Sequence, residues 1–225
     1  MKVIVFGTEQ EKVLDLIADA GITVVEENPD FIVSFGGDGT VIRSETKYPE
    51  IPKIILKNSA ICKLCSKLEN QEVLERVKSG NYTIEEYLKL SVTVNDETRS
   101  ALNDITIHNA DPRHGLRYHV WVNGKQVGKD IIGDGVVIST PFGSTAYYRS
   151  ITDSFFELGI GLAFNNSTEQ SDHMVIREDS IVELEIERGP ALVYVDTQEA
   201  IHLNKGDRIQ VKKSATLAKI VRVGV

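Results

Sequence analysis

The stretch Phe31-Ile32-Val33-Ser34-Phe35-Gly36-Gly37-Asp38-Gly39-Thr40-Val41-Ile42-Arg43 decides the fold class. Its short, mostly apolar run predicts a buried strand, and the glycines that follow let the chain turn with backbone N–H groups unobstructed by Cβ atoms. Thr40 then opens a helix, whose N-terminus is the positive end of its dipole. Strand, glycine turn and helix N-terminus in that order make an anion site of the kind built at the carboxyl edge of a parallel sheet. Asp38 is the unexpected residue in it. A carboxylate beside phosphates is repelled unless it binds a metal, accepts hydrogen bonds from sugar hydroxyls, or serves as a base.

The flanks repeat the alternation. Before the turn come an apolar run at Val3 to Phe6, a segment over residues 9–20 with Val13, Leu14, Leu16 and Ile17 on one helical side, and a run at residues 22–25. After it, residues 52–56 predict a strand, and residues 69–79 a helix with Val73, Leu74 and Val77 on one face ahead of Gly80. From about Tyr82 helices nearly vanish. Apolar runs at residues 88–94, 101–107, 116–122, 126–132 and 135–139, then 181–186, 191–195, 208–211 and 217–223, predict strands; Asn123-Gly124 signals a hairpin. The pattern predicts an α/β chain: an N-terminal Rossmann-like α/β domain over residues 1–85, then a β-rich, β-sandwich-like domain over residues 86–225 whose last strand is free to return to the first. With no repeat and no low-complexity linker, the junction should be short and the ligand should lie between the two halves.

The chain has 225 residues, 41% hydrophobic and 26% charged, which is ordinary globular composition. A net charge of -8 argues against a sequence-independent grip on nucleic acid, so an anionic ligand would be held by local devices. No secretory leader and no membrane-spanning apolar stretch can be read, which predicts a cytoplasmic protein without a membrane partner. The only two cysteines, Cys62 and Cys65, form one C-x-x-C with no second ligand pair. They are expected to be structural or incidental thiols in a reducing cytosol, without a metal or any other role.

The most informative stretch is Gly133-Asp134-Gly135-Val136-Val137-Ile138-Ser139-Thr140-Pro141-Phe142-Gly143-Ser144-Thr145-Ala146-Tyr147. It predicts a strand ending in a turn of small hydroxyl residues and glycine, then a short helix from near Ser144. Over nearly its full length it resembles the Asp-Gly-(apolar)-Ser-Thr-Pro-Thr-Gly-Ser-Thr-Ala-Tyr signature of NAD kinases. Gly36-Gly37-Asp38-Gly39-Thr40 resembles the phosphate loop of the same family, and is shared with lipid kinases. Leu102-Asn103-Asp104-Ile105 is similar to the family's Asn-Glu motif, with Asp104 one methylene shorter, and Val195-Asp196-Thr197-Gln198 to its Val-Asp-Gly-Gln.

The resemblance implies transfer of a phosphoryl group from ATP, or from polyphosphate, to the 2′-hydroxyl of the adenosine ribose of NAD. It makes Asp38 the catalytic residue and Gly36, Gly37, Gly39 and Thr40 the phosphate cradle, with Mg²⁺ or another divalent cation accompanying the donor. Asn103, Asp104, His114, Asp134, Thr145, Ala146, Tyr147, Ser150 and Gln198 would hold the substrate, and the protein would be a homodimer or homotetramer. The chain departs from the family where Lys57-Asn58-Ser59-Ala60-Ile61-Cys62-Lys63-Leu64 replaces an Asn-x-Gly-x-Leu-Gly-Phe segment, at Ile132, where a basic residue is common, and after Ser150. These departures leave open a non-catalytic NAD- or nucleotide-binding homologue. A lipid kinase would need a basic or apolar membrane-facing surface, for which the charge of -8 gives no support.

Overall fold

The computed structural model describes residues 1–58, 62–168 and 172–224. It contains two compact units, residues 1–87 with 217–225, and residues 88–216.

The first unit is a Rossmann-like layer. Its elements are β1 (Lys2–Gly7), α1 (Glu11–Asp19), β2 (Thr23–Val24), β3 (Phe31–Gly36), α2 (Asp38–Lys47), β4 (Lys53–Lys57), α3 (Asn70–Lys78) and β5 (Thr83–Tyr87). Strands β2, β1, β3 and β4 run parallel in that order, and the sheet is extended beyond β4 by the strand Ala218–Arg222, which is parallel to β4 and antiparallel to β5. Four consecutive residues of β3, Ile32 to Phe35, are buried, as expected of a strand covered on both faces. Val13 and Ile17 of α1 and Val73, Leu74 and Val77 of α3 join Val3, Val33, Ile54 and Leu56 in one core.

Helix α2 is anchored by polar contacts instead. The Ser44 hydroxyl donates to Val41 O (2.8 Å), so its 2.7 Å contact with the Ser34 hydroxyl must be donated by Ser34. Below it, Glu45 and Lys53 form an ion pair buried on both sides.

The second unit is a sandwich of two six-stranded antiparallel sheets. Its strands are β6 (Leu90–Val94), β7 (Glu97–Ala101), β8 (Asp104–Asn109), β9 (Leu116–Val122), β10 (Lys125–Gly133), β11 (Gly135–Ser139), β12 (Ile160–Asn165), β13 (His173–Ile176), β14 (Val182–Arg188), β15 (Ala191–Val195), β16 (Ile201–Leu203) and β17 (Arg208–Lys213); an α-helix, α4, spans Tyr147–Thr152. One sheet has the order β10-β9-β14-β17-β6-β7, the other β13-β12-β11-β8-β15-β16. The first shows period-two burial, Leu90, Val92 and Val94 inward with Ser91 and Thr93 half-exposed. In the second, β11 is buried along its whole length, because α4 covers the outer face through Tyr148 against Val137 and Ala163. The inner faces of both sheets meet in a single core that includes Tyr118, Val120 and Leu184 from one and Ile105, Ile107 and Ile138 from the other.

The hairpin at Asn123-Gly124 has both φ angles positive, 52° and 76°, as the right-handed twist of its strands demands. A second turn of this kind at Asn95-Asp96 joins β6 to β7. The predicted run at residues 101–107 divides instead at Leu102 and Asn103, with β7 ending before them and β8 beginning after. The expected helix near Ser144 begins as a 3-10 turn, Gly143–Thr145, and becomes α-helical only at Tyr147.

Candidate functional site

In the first unit, β3 delivers the chain to Gly36, and Gly37, extended at φ -114°, caps α2. The helix therefore starts at Asp38, two residues earlier than Thr40. Thr40 is buried, and its Oγ1 lies 2.2 Å from where a Cβ on Gly36 would stand, so hydroxyl and glycine occupy one space between them. Arg43, one turn on and exposed, donates to Thr40 Oγ1 at 3.4 Å, placing a guanidinium beside the turn.

The Asp38 carboxylate is held from the segment after β4. Lys63 N donates to Oδ2 and Leu64 N to Oδ1, each at 3.1 Å. These two residues lie between Cys62 and Cys65, which are joined in a disulfide across a Cα separation of 5.4 Å. The expectation of free thiols without a role is corrected here: the short turn brings the cysteines within bonding reach, and the bond closes the turn that grips Asp38. Cys62 Sγ stands 3.5 Å from Asp38 Oδ1 and Cys65 Sγ 3.8 Å from Gly36 O, and as a disulfide neither carries a hydrogen to donate. Residues 59–61 of the divergent segment lie outside the described residues.

Closing so short a loop is worth on the order of 2 kcal/mol of local order. Reduction with dithiothreitol is therefore expected to accelerate hydrogen exchange at the Lys63 and Leu64 amides by about tenfold or more, with the amides of β9 unchanged. Equal protection in both redox states would show that the bond does not hold this turn.

In the second unit, the segment between β7 and β8 is held from two sides. The Asp196 carboxylate accepts three successive backbone N–H groups, from Leu102 (2.7 Å), Asn103 (2.9 Å) and Asp104 (3.2 Å). Opposite, the Thr140 hydroxyl donates to Leu102 O at 2.6 Å and accepts from Gly143 N at 3.0 Å, while Thr140 N donates to Asn103 O at 2.9 Å. Gly143 is required there, because a Cβ on it would stand 2.2 Å from Asn103 O. The Asn103-Asp104 pair and the turn at residues 140–143 are thus one hydrogen-bonded assembly.

Burial, and then the charge of Asp196, push the Asp104 carboxyl up to about 6, against a hydrogen bond from the Thr106 hydroxyl. Asp196 is itself raised by burial, opposed by its three amide donors and by Lys89. The Tyr147 phenol is raised by burial and by the charges of Asp104 and Asp134, which puts both carboxylates in its field. Asp134 accepts from Asn109 Nδ2 at 3.4 Å and from Asn166 Nδ2 at 2.5 Å, and the Tyr147 hydroxyl accepts from Asn165 Nδ2 at 3.2 Å. Beside these groups lies a cavity of about 420 Å³ lined by Tyr147, Ser150, Ile151, Asn165, Asn166 and Asp172 among others.

Among the residues expected to bind substrate in this unit, Asp104, Asp134, Tyr147 and Ser150 are therefore brought together. Thr145 and Ala146 sit at the junction from the 3-10 turn to α4. Gln198 is directed elsewhere, its amide donating to Ser100 O at 3.0 Å. His114 is exposed in a surface turn, Nδ1 3.3 Å from Asp111, whose carboxyl Arg113 holds well below the usual range. Asn109, Asn165 and Asn166 were not singled out from sequence; the signal available was a pair of amides closing a buried apolar strand.

Residues 102–223 match the family model of the ATP-NAD kinase C-terminal domain. The NAD kinase of Thermococcus gammatolerans is 33% identical over 213 residues, covering 89% of this chain and 76% of that protein. That of Natranaerobius thermophilus is 31% identical over 229 residues, covering 93% and 79%. Among solved structures, yeast NADH kinase complexed with NADH has a TM-score of 0.87 at 17% identity, covering 100% of this chain and 84% of that one. An Archaeoglobus fulgidus NAD kinase in complex with ATP has 0.80 at 21%, covering 99% and 94%. Those two establish the fold, and the family match, together with relatives above 30% identity, establishes descent: the chain belongs to the NAD kinase family.

Proposed function

We propose that the protein transfers the terminal phosphoryl group of ATP to the 2′-hydroxyl of the adenosine ribose of NAD, giving NADP. The observation that carries this is Asp38: a carboxylate set into a glycine turn at a helix N-terminus, where phosphate binding alone would exclude it. Asp38 takes or orients the proton of the attacking hydroxyl. Backbone groups of Gly36, Gly37 and Gly39 and the first turn of α2 receive donor phosphates, and Arg43 supplies positive charge beside them. Asn103, Asp104, Asp134, Thr145, Ala146, Tyr147 and Ser150 hold NAD, whereas His114 and Gln198, engaged with Asp111 and Ser100, take no part in this reading.

A divalent cation fits this scheme as a passenger on the donor's phosphates, where it would offset their charge. No group of three or more metal-binding side chains occurs among the described residues, and Mg²⁺ commonly keeps several waters beside one carboxylate and the phosphates. We place the protein in the cytoplasm as a homodimer or homotetramer, which light scattering coupled to size exclusion reads directly.

Purified protein given NAD, Mg²⁺ and ATP should form NADP, measured with an NADP-specific dehydrogenase; polyphosphate in place of ATP tests the second donor. Calorimetric binding of NAD with no NADP from either donor would identify a non-catalytic homologue.

Asp104 gives this reading a pH signature. If its carboxylate accepts ribose hydroxyls, NAD binding needs the ionised form, and a group titrating at about 6 loses it on acidification. KM for NAD should rise about tenfold from pH 7 to pH 5, while Asp104→Asn shows a high KM without that step. The sign for stability is opposite: a carboxyl raised in the fold favours folding fully below its unfolded value, 3.8, and loses that contribution as pH climbs through about 6. Asp104→Asn should therefore melt higher than the wild type above pH 6.

A further inference from the structure

We propose that Asp196 is a positioning residue for NAD recognition, fixing the Asn103-Asp104 pair by taking its backbone N–H groups while Thr140 holds the same segment from the carbonyl side. The proposal deepens the assignment above and rests on it. A carboxylate is suited to the task because its two oxygens offer several acceptor sites and no donor: Oδ1 receives Asn103 and Asp104, Oδ2 receives Leu102.

The geometry is built for this contact. Asp196 follows β15 with a positive φ of 50°, a conformation aspartate tolerates better than most side chains. Its own N–H donates to Asp104 O at 3.1 Å, so the grip is reciprocal. Strand β8 is paired with β15 from Ile105–Val195 to Asn109–Ala191, and the Asp196 contact continues that ladder onto the three residues that precede Ile105. Opposite, β11 pairs with β8 at Ser139–Asp104, and Thr140 carries on from there. The pair that reads the nucleotide is thus the place where two strands hand over to side chains.

Asp196 also acts on Asp104 by its charge. The titratable groups that bear on this pair are Tyr147 of α4, which feels Asp104, and Lys89, which favours the ionised form of Asp196. Removing the charge of Asp196 leaves Asp104 easier to ionise.

Asp196→Asn keeps the shape but turns an amino group towards amide donors. It is expected to raise KM for NAD about tenfold, with KM for ATP and kcat within about threefold. It should also move the acid limb of the NAD KM profile below pH 6. Thr140→Val removes only the opposite jaw and should raise KM for NAD with the limb unmoved, and Thr140→Ser, which keeps the hydroxyl, should restore it.

An Asp196→Asn enzyme with KM for NAD within twofold of wild type, or with KM for ATP raised equally, overturns the proposal. So does a Thr140→Ser enzyme as impaired as Thr140→Val, which is the arm that decides if Asp196→Asn does not fold. Wild-type protein that forms no NADP and binds no NAD calorimetrically would instead bring down the assignment of function.

Discussion

Asp38→Asn is expected to lower turnover by about 10³-fold while leaving the affinity for NAD within about tenfold. The amide is close to isosteric with the carboxylate but takes no proton, so a group acting on the reacting hydroxyl is lost with little change in volume. One complication comes from the turn that holds it. Lys63 N and Leu64 N donate to different carboxylate oxygens, and an asparagine in the same place sets an NH₂ group against one of these donors. Some movement of that turn is therefore built into the variant, which is why binding and turnover must be measured separately. Calorimetry with NAD reads the first, and single-turnover NADP formation reads the second. A purified variant that retains a tenth or more of wild-type turnover would show that Asp38 does not act on the proton.

Gly135→Ala should be the most damaging substitution in the second unit. Gly135 opens the central strand β11 with φ at +147°, and an added Cβ would stand 1.9 Å from Ile107 O. The obstacle is backbone of the neighbouring strand β8, so no side-chain rotation relieves it. Displacing β8 disturbs both the shared core and the buried hydrogen bond from the Tyr118 hydroxyl to Gly135 O, 2.8 Å. The expected cost is about 4 kcal/mol or more, a large part of a domain's stability. Chemical denaturation, or loss of soluble protein on expression, would register it, and a variant with an unchanged midpoint would refute the steric account.

What could be read from sequence was whatever is written locally. The strand, glycine turn and helix at residues 31–43 follow from residue types alone, and the signature at residues 133–147 names the family because its spacing is contiguous. Apolar runs also exposed β6, β9 and β15. The strands missed were β5, β12, β13, β16 and all but the last residue of β7, and three of them show why. β5 is Thr-Ile-Glu-Glu-Tyr, almost wholly exposed, and is a strand because Ala218–Arg222 pairs with it. β12 is apolar on both faces and so carries no period, since α4 covers the side that water would otherwise touch. β16 is only three residues long.

The same distinction holds for the site. Asp38, Asp104, Asp134 and Tyr147 sit in motifs and could be named. The partner of Leu102 at Asp196 lies 94 residues away, and nothing in either segment specifies the other. The Cys62–Cys65 bond was misjudged because spacing shows only that two sulfurs are neighbours along the chain; whether they meet depends on the turn between β4 and α3. His114 and Gln198 illustrate the reverse, residues named by their place in a motif whose side chains are spent on local contacts.

The strand Ala218–Arg222 lies between β4 and β5 in the first sheet, and among the described residues β5 has no other neighbour there. On the ribosome, everything from Leu88 to Thr216 has been polymerised before that strand exists. The sandwich can thus mature during translation, whereas the sheet of the first unit stays incomplete until residues 218–222 have been made. Until then the edge of β4 that residues 218–222 will cover stands open to pairing with another chain.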